Sequence, residues 1–391
     1  MIQRKKLGEI ANISAGQGAP QGAENYSEEG TPFVKAGDLF YLVNGERECD
    51  IQKVSEEVAK NHRLKLYPKG TVLFAKSGMS CMKGYVYATN AECYVVSHLA
   101  CIMPFDVDSK YLKYYFEYHK PNQLVKDASY PSISLADIAE MPINVFDDQT
   151  EAKIVDNLDA VNSLIAKSKE ELGLLDNIVK SRFVEMFGEP VSNTFGWEQL
   201  LLCNVTSKIG SGATPKGGKE SYQAEGITLI RSMNVHDGRF EYKDLAHITD
   251  EQATQLNNVI VQENDVFINI TGASVARSCI VPSSVLPARV NQHVAIIRCV
   301  PERLNAVFAN NMFLNDRFKG QLLDIGESGG ATRQAITKQQ LENLTVIVPP
   351  LELQNRFAAF VAEVDKSKLA VQQSIDQLET LKKSLMQKYF G

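Results

Sequence analysis

Long apolar runs are missing from this 391-residue chain. No stretch of about 18 apolar residues occurs, so a membrane-spanning helix is not expected. The opening MIQRKKLGEIANISAG carries basic residues with no apolar run behind them, which argues against secretion. Cysteine is sparse and never spaced as CxxC: Cys49, Cys81, Cys93, Cys101, Cys203, Cys279 and Cys299 are scattered. That pattern disfavours a zinc site and predicts buried thiols in a reducing cytoplasm. A positive excess is missing too, since 41 Lys and Arg against 47 Asp and Glu leave a formal charge of −6. Any surface that neutralises phosphates must therefore be local.

Enzyme signatures are also absent. His62, His98, His119, His236, His247 and His293 form neither HExxH nor a paired metal spacing. ATPKGGKE at 213–220 lacks the first glycine of a phosphate loop and the hydroxyl residue after its lysine. There is no GxSxG elbow and no glycine fingerprint after a strand. Catalysis, if associated, is expected on a partner.

What the chain does have is an internal repeat. Shifted by 203 positions, it stays in register without a gap from Ile133/Ile336 to Gly188/Gly391, and IVKSRFVEMFG (178–188) answers LKKSLMQKYFG (381–391). Upstream the offset drifts between about 194 and 196, as loops of unequal length require. GQGAP (16–20) answers GSGATP (210–215), TVLFAKSGMS (71–80) answers DVFINITGAS (265–274), and SHLACI (97–102) answers QHVAII (292–297).

Each half reads as a globular segment followed by a helical one. The globular segments hold short β-branched or aromatic runs between Gly, Pro, Asn and Ser, which predicts β-rich α+β domains with helices at 109–120 and 306–323. The helical segments repeat apolar residues every three or four positions. Ile154, Leu158, Val161, Ile165, Leu172, Leu175, Val179 and Met186 make one seam; Phe357, Val361, Val364, Val371, Ile375, Leu378, Leu385 and Tyr389 make the other. This predicts a coiled coil of helices 35–40 residues long, about 50–60 Å at 1.5 Å per residue. Leu164, Leu174, Ile178, Phe183, Phe360, Leu369 and Leu381 lie beside the seam and exceed what one partner helix covers, so either the globular domains or a protein partner should pack there.

Two copies in one chain predict a pseudo-two-fold arrangement, with antiparallel helices acting as a ruler between unlike readers. Half-sites on DNA lie about 34 Å apart per helical turn, a span such a frame can set.

Taken together, the chain resembles the specificity subunit of type I restriction-modification systems over essentially its full length. WEQLLLCNVTSKIGSGATP (197–215) is similar to the opening of a recognition domain, and ITKQQLENLTVIVPPLELQNRFAAFVAEVDK (336–366) to the strand, double-proline turn and helix start that close one. In the first copy, SISLADIAEMPINVFDDQTEAKIVDNLDAV (132–161), FDD at 146–148 replaces the proline pair. The resemblance implies an α+β fold with two target recognition domains, 1–146 and 191–348, each followed by a helical region, 147–190 and 349–391. It further implies a non-catalytic cytoplasmic subunit that binds a bipartite asymmetric site on double-stranded DNA. Modification subunits, two of them, would carry the S-adenosylmethionine and adenine N6-methylation chemistry, and restriction subunits the ATP- and magnesium-dependent cleavage. No cofactor is expected in this chain. Leu158, Val161, Leu172, Leu175, Val361, Val364, Ile375 and Leu378 would hold the helices together and support docking.

Polar loop residues supply the candidate DNA contacts, since Lys, Arg, Asn and Gln offer groove and phosphate donors. They are Gln17, Gln21, Lys35, Lys76, Lys83 and His98 in the first domain, and Lys216, Lys219, Arg231, Arg239, Arg277, Arg289, Asn291 and His293 in the second. His98 and His293 occupy equivalent positions and read either as structural residues or as contacts. Two rival classes remain at this point: a coiled-coil scaffold whose β-rich domains bind proteins, which the acidic charge suits, and a self-contained restriction enzyme, which the missing motifs oppose.

Overall fold

The computed structural model describes residues 3–215, 217–327 and 334–391. The chain divides into two units. The first joins Met1–Lys169 to Gln373–Gly391, and the second is Glu170–Gln372.

Unit 1 contains, in chain order, β1 (Gln3–Lys6), β2 (Ala11–Ala15), β3 (Thr31–Val34), α1 (Asp38–Val43), β4 (Lys53–Val54), α2 (Glu56–Asn61), β5 (Val72–Ala75), β6 (Val86–Ala88), β7 (Tyr94–Val95), β8 (Leu99–Pro104), α3 (Ser109–Tyr118), α4 (Leu135–Ala139), β9 (Pro142–Val145) and the start of α5 (Asp148–Phe187). One sheet runs β2-β8-β5-β6 with every neighbour antiparallel; a second runs β4-β3-β7, its β3–β7 pair parallel. β1 pairs with β9 just ahead of α5. Strand β5 is buried from end to end because both faces of its sheet are covered, which is why VLFA shows no polar alternation. Helix α3 begins where the Asp108 side chain accepts from the N–H groups of Lys110 and Tyr111, and Phe116 then lays its ring 4.8 Å from that of Phe74.

Unit 2 repeats this plan with the end of α5, β10 (Glu198–Leu201), β11 (Thr206–Ser211), β12 (Ile227–Ile230), β13 (Val235–His236), β14 (Arg239–Phe240), β15 (Ala246–Ile248), α6 (Asp250–Thr254), β16 (Val266–Asn269), β17 (Ser278–Ile280), β18 (Ala288–Val290), β19 (Val294–Cys299), α7 (Ala306–Leu314), α8 (Asp316–Glu327), α9 (Lys338–Glu342), β20 (Thr345–Val348) and the start of α10 (Leu351–Phe390). Its sheets run β11-β19-β16-β17 and β15-β12-β18, again with one parallel pair, β12–β18, and β10 pairs with β20. The period-two geometry of a strand appears plainly in β16. Val266 and Ile268 face the core beneath α7 and α8, while Phe267 faces the core around Leu229 and Val290.

The helix expected over 306–323 is two helices. Asn315 adopts φ −59°, ψ 133°, and its Oδ1 accepts from the N–H groups of Arg317 and Phe318, ending α7 and capping α8.

Helices α5 and α10 span 40 residues each, and in both units they run antiparallel. In unit 1 Asn157 Nδ2 donates to the Tyr389 hydroxyl at 3.1 Å, and Lys169 pairs with Glu379 at 3.7 Å. In unit 2 Asp176 pairs with Lys368 at 2.6 Å, and the rings of Phe183 and Phe357 lie 5.5 Å apart. Of the seam residues, Leu158, Val161, Val364 and Ile375 are buried, and Leu172, Leu175, Val361 and Leu378 are half-buried. The apolar residues beside the seam separate into two groups. Phe183 is buried against Phe308 and Phe187 of its own unit, and Phe360 is half-buried there. Leu164, Leu174, Ile178, Leu369 and Leu381 remain 46–61% exposed.

Five cysteines are buried as expected, but Cys49 and Cys203 are exposed, on short 3-10 turns whose inward position is taken by Glu48 and Leu202 respectively. Burial pushes the thiols of Cys93, Cys101, Cys279 and Cys299 up to about 12, which keeps them protonated and unreactive at neutral pH. Among the described residues no cluster could hold a metal ion, and no helix is long and apolar enough to cross a membrane.

Candidate nucleic-acid interface

In unit 1 the chain leaves β5 through Lys76, Ser77 and Gly78. Lys76 N–H donates to the His98 carbonyl at 2.9 Å, and Ser77 Oγ lies 2.8 Å from His98 Nδ1. Gly78 takes a φ of +75°, and the 3-10 turn Met79–Lys83 follows, closed by Gly84 at φ +65°. This turn presents Met79, Met82 and Lys83 to solvent. Among the described residues no carboxylate pairs with Lys76 or Lys83. A second basic group, the ammonium of Lys35, sits 3.9 Å from the centre of the Tyr26 ring and donates to Gln52 Oε1 at 2.6 Å.

Unit 2 repeats both arrangements. Thr271 Oγ1 lies 2.5 Å from His293 Nδ1, and Arg277 follows a shorter turn, so that by strand register it answers Tyr85 rather than Lys83. The guanidinium of Arg231 lies 5.4 Å from the Tyr222 ring, matching Lys35 and Tyr26 at an offset of 196. The Thr214 hydroxyl contacts Gln292 Oε1, and Gln292 Nε2 lies 3.1 Å from His293 Nε2, so both ring nitrogens of His293 have partners. Between the 3-10 turns Ser232–Asn234 and Gly272–Ser274 lies an open cleft of about 580 Å³, into which Thr271, Arg277 and His293 all project.

The glycines of the GQGAP and GSGATP segments have a steric cause. A Cβ at Gly16 would meet the Val95 and Val96 carbonyls at 2.3 Å, and one at Gly212 would meet the Val290 carbonyl at 1.8 Å. Only glycine lets these segments lie against the strand that leads to the histidine.

The remaining candidates fall elsewhere. Gln17 donates to the Arg63 carbonyl and accepts from Lys65 N–H, so both ends of its amide serve the domain; Gln21 is exposed and donates to the Ala19 carbonyl. Arg239 is exposed on β14 beside Glu241, 3.7 Å away. Arg289 corrects the sequence expectation of a surface donor. It is 8% exposed, and it donates to the carbonyls of Ala253 and Ala288 and to Asn257 Oδ1. Asn291 is likewise buried, its Oδ1 accepting from His293 N–H at 3.0 Å. Lys216 lies outside the described residues, as does the side chain of Lys219, whose backbone belongs to the turn Gly218–Ser221.

Sequence reasoning missed the partners that orient these groups: Ser77, Thr271, Tyr26 and Tyr222. The signal was present, because Ser77 and Thr271 follow matched strands and Tyr26 and Tyr222 each stand four residues before a matched glycine.

The family model for the type I restriction modification DNA specificity domain matches residues 2–174 and again 197–380. The chain is similar to the type I restriction enzyme MjaIX specificity subunit of Methanocaldococcus jannaschii, 24% identical over 413 residues that cover 98% of this chain and 91% of that one. It is also similar to the EcoAI specificity subunit of Escherichia coli, 26% identical over 175 residues, 43% of this chain and 28% of the relative. Among solved structures, the S subunit from M. genitalium aligns with a TM-score of 0.56 at 12% identity, covering 100% of this chain and 96% of the other. A chain solved in work on complex assembly and conformational transition of the type I R-M system aligns at 0.60 and 17% identity, covering 100% and 97%. At such identities the structural likeness establishes the fold alone.

Proposed function

Because the chain belongs to the type I restriction-modification DNA specificity family, we propose that it is the subunit that reads DNA for a type I complex, each unit taking one half of a bipartite asymmetric site. The supporting observation is the pair of matched constellations. Ser77 and His98 in unit 1 and Thr271 and His293 in unit 2 occupy equivalent places on one fold, yet the residues around them differ, Arg277 standing where strand register places Tyr85 in unit 1. Equivalent placement suits two readers built alike, and unlike side chains suit two different half-sequences. Lys76, Lys83 and Arg239 would add phosphate contacts that fix register without reading bases.

The helical regions would set the gap between half-sites and dock the modification subunits. Exposed Leu164, Leu174, Ile178, Leu369 and Leu381 suit a protein interface better than water. Methyl transfer to adenine N6 and DNA cleavage would belong to the modification and restriction partners, which bring S-adenosylmethionine, ATP and magnesium.

The test is duplex binding by the chain assembled with its modification subunits, measured across a range of salt. A phosphate-tracking interface loses affinity linearly in log salt, with a slope near 0.9 per phosphate neutralised. Salt-insensitive binding, or none, would favour a protein-binding scaffold, the reading that the net charge of −6 suits.

A further inference from the structure

Unit 2 carries a feature that the general reading leaves unused: the cleft beside Arg277. Arg277 is half-buried, and its side chain makes one long hydrogen bond, 3.5 Å to His236 Nδ1. No carboxylate pairs with it among the described residues. A guanidinium has five N–H donors, so most of this one's donors face the open cleft instead of protein acceptors. Donors aimed into a cleft in this way suit acceptors brought by a ligand.

The walls around it are held in place. Asn269, fully buried at the end of β16, donates to the Ser232 carbonyl at 2.9 Å on one side and to Ser274 Oγ at 3.1 Å on the other. Ala276, immediately before Arg277, is held at φ +65°, a conformation an alanine adopts only where its surroundings impose it. Both observations describe a preorganised site.

Its chemistry separates a base from a phosphate. Apart from Arg277 the described walls hold no further cation, and Gly272 N–H already donates to the Gln334 carbonyl at 3.0 Å. Met233 and Ala273, both exposed at the cleft, add apolar surface. One planar fork, with the Thr271 hydroxyl and an apolar wall beside it, suits the edge of a flat ring carrying two adjacent acceptors. In duplex DNA that is the O6/N7 edge of guanine. Building on the DNA-reading assignment above, we infer that this cleft reads a guanine in the second half-site, with Arg277 as the bidentate donor and Met233 packed against the neighbouring base. By strand register unit 1 has Tyr85 at the place of Arg277, with no guanidinium fork, which suits a different base in the first half-site.

The experiment selects bound duplexes from a random pool with the chain assembled with its modification subunits, comparing wild type with Arg277→Lys and Arg277→Ala. Both variants are expected to lose preference for guanine at one position of one half-site by about 5- to 150-fold, the discrimination a bidentate pair supplies. The other half-site stays unchanged and reports that the protein is folded. If Arg277→Lys keeps the full motif while Arg277→Ala weakens all sequences alike, Arg277 contacts phosphate and the inference is overturned. Unchanged selection by both variants overturns it as well. If wild type selects no two-part sequence, the DNA-reading assignment itself fails and takes this inference with it, an outcome distinct from the other two.

Discussion

The Glu151 carboxylate accepts the backbone N–H of Asp108 at 3.0 Å, tying the first turn of α5 to the start of α3. It also accepts from Phe146 N–H, yet it is only 3% exposed, and burial pushes its pKa up from the ordinary carboxylate value. The second copy places Gln354 at the same position. Gln354 is fully buried, accepts from Asn305 N–H at 2.8 Å and donates to the carbonyls of Arg303 and Pro349. One geometry thus carries a charge in unit 1 and a neutral amide in unit 2.

Glu151→Gln should destabilise unit 1, because the amide has one acceptor oxygen for two N–H donors and leaves Asp108 or Phe146 N–H facing an NH2 group, whereas Gln354 turns its NH2 to carbonyls. A carboxylate whose pKa is higher folded than unfolded opposes folding once it is ionised, and the penalty disappears as pH falls below the unfolded value. The Tm of the variant should lie furthest below that of wild type near pH 4, by about 2–4 °C per kcal/mol lost, and the gap should narrow towards pH 7 as the wild-type carboxyl ionises. Thermal melts across pH check this; a gap independent of pH would show that ionisation has no part in it.

Arg289→Ala should destabilise unit 2 without touching DNA directly. It removes a guanidinium with three partners and leaves a gap in the core, while the carbonyls of Ala253 and Ala288 keep the N–H groups of Leu256 and Val261. A loss of about 2–4 kcal/mol is expected. Trp197, the single tryptophan, lies in unit 2 and donates to the Phe187 carbonyl, so urea denaturation followed by its fluorescence reports on the right unit.

A charge in the helical seam should be costly in a different way. Leu378 is half-buried in α10, beside the Lys169–Glu379 pair. Leu378→Lys should unfold the helix pair in unit 1 or abolish assembly with modification subunits. Co-purification at full yield would remove Leu378 from the seam.

Lys83→Ala should weaken binding to all duplexes to a similar degree and reduce the salt slope by about 1, the signature of a lost phosphate contact. A changed motif would instead place Lys83 on a base edge.

The repeat and the helices were legible because residues 133–188 and 336–391 align without a gap and their apolar spacing is regular. Side-chain roles were less legible where tertiary context decided them. Arg289 looks like an outward-facing strand residue in ARV, but β18 is buried on both faces and draws it inside. Asn315 looks helical within FLNDRF, yet its side chain caps the following helix and breaks the run. Lys35 and Arg231 stood out as equivalent basic residues; their tyrosine partners recur at the same spacing nine residues upstream, but which face of the loop carries the ring is decided by the fold.

The central claim, that this chain gives a type I complex its sequence specificity, is tested most directly by mapping N6-methyladenine across the host genome with the gene intact and deleted. A two-part motif with a fixed gap should be methylated when the gene is present and lose methylation when it is removed. An adenine-methylated two-part motif that persists unchanged in the deletion strain would contradict it.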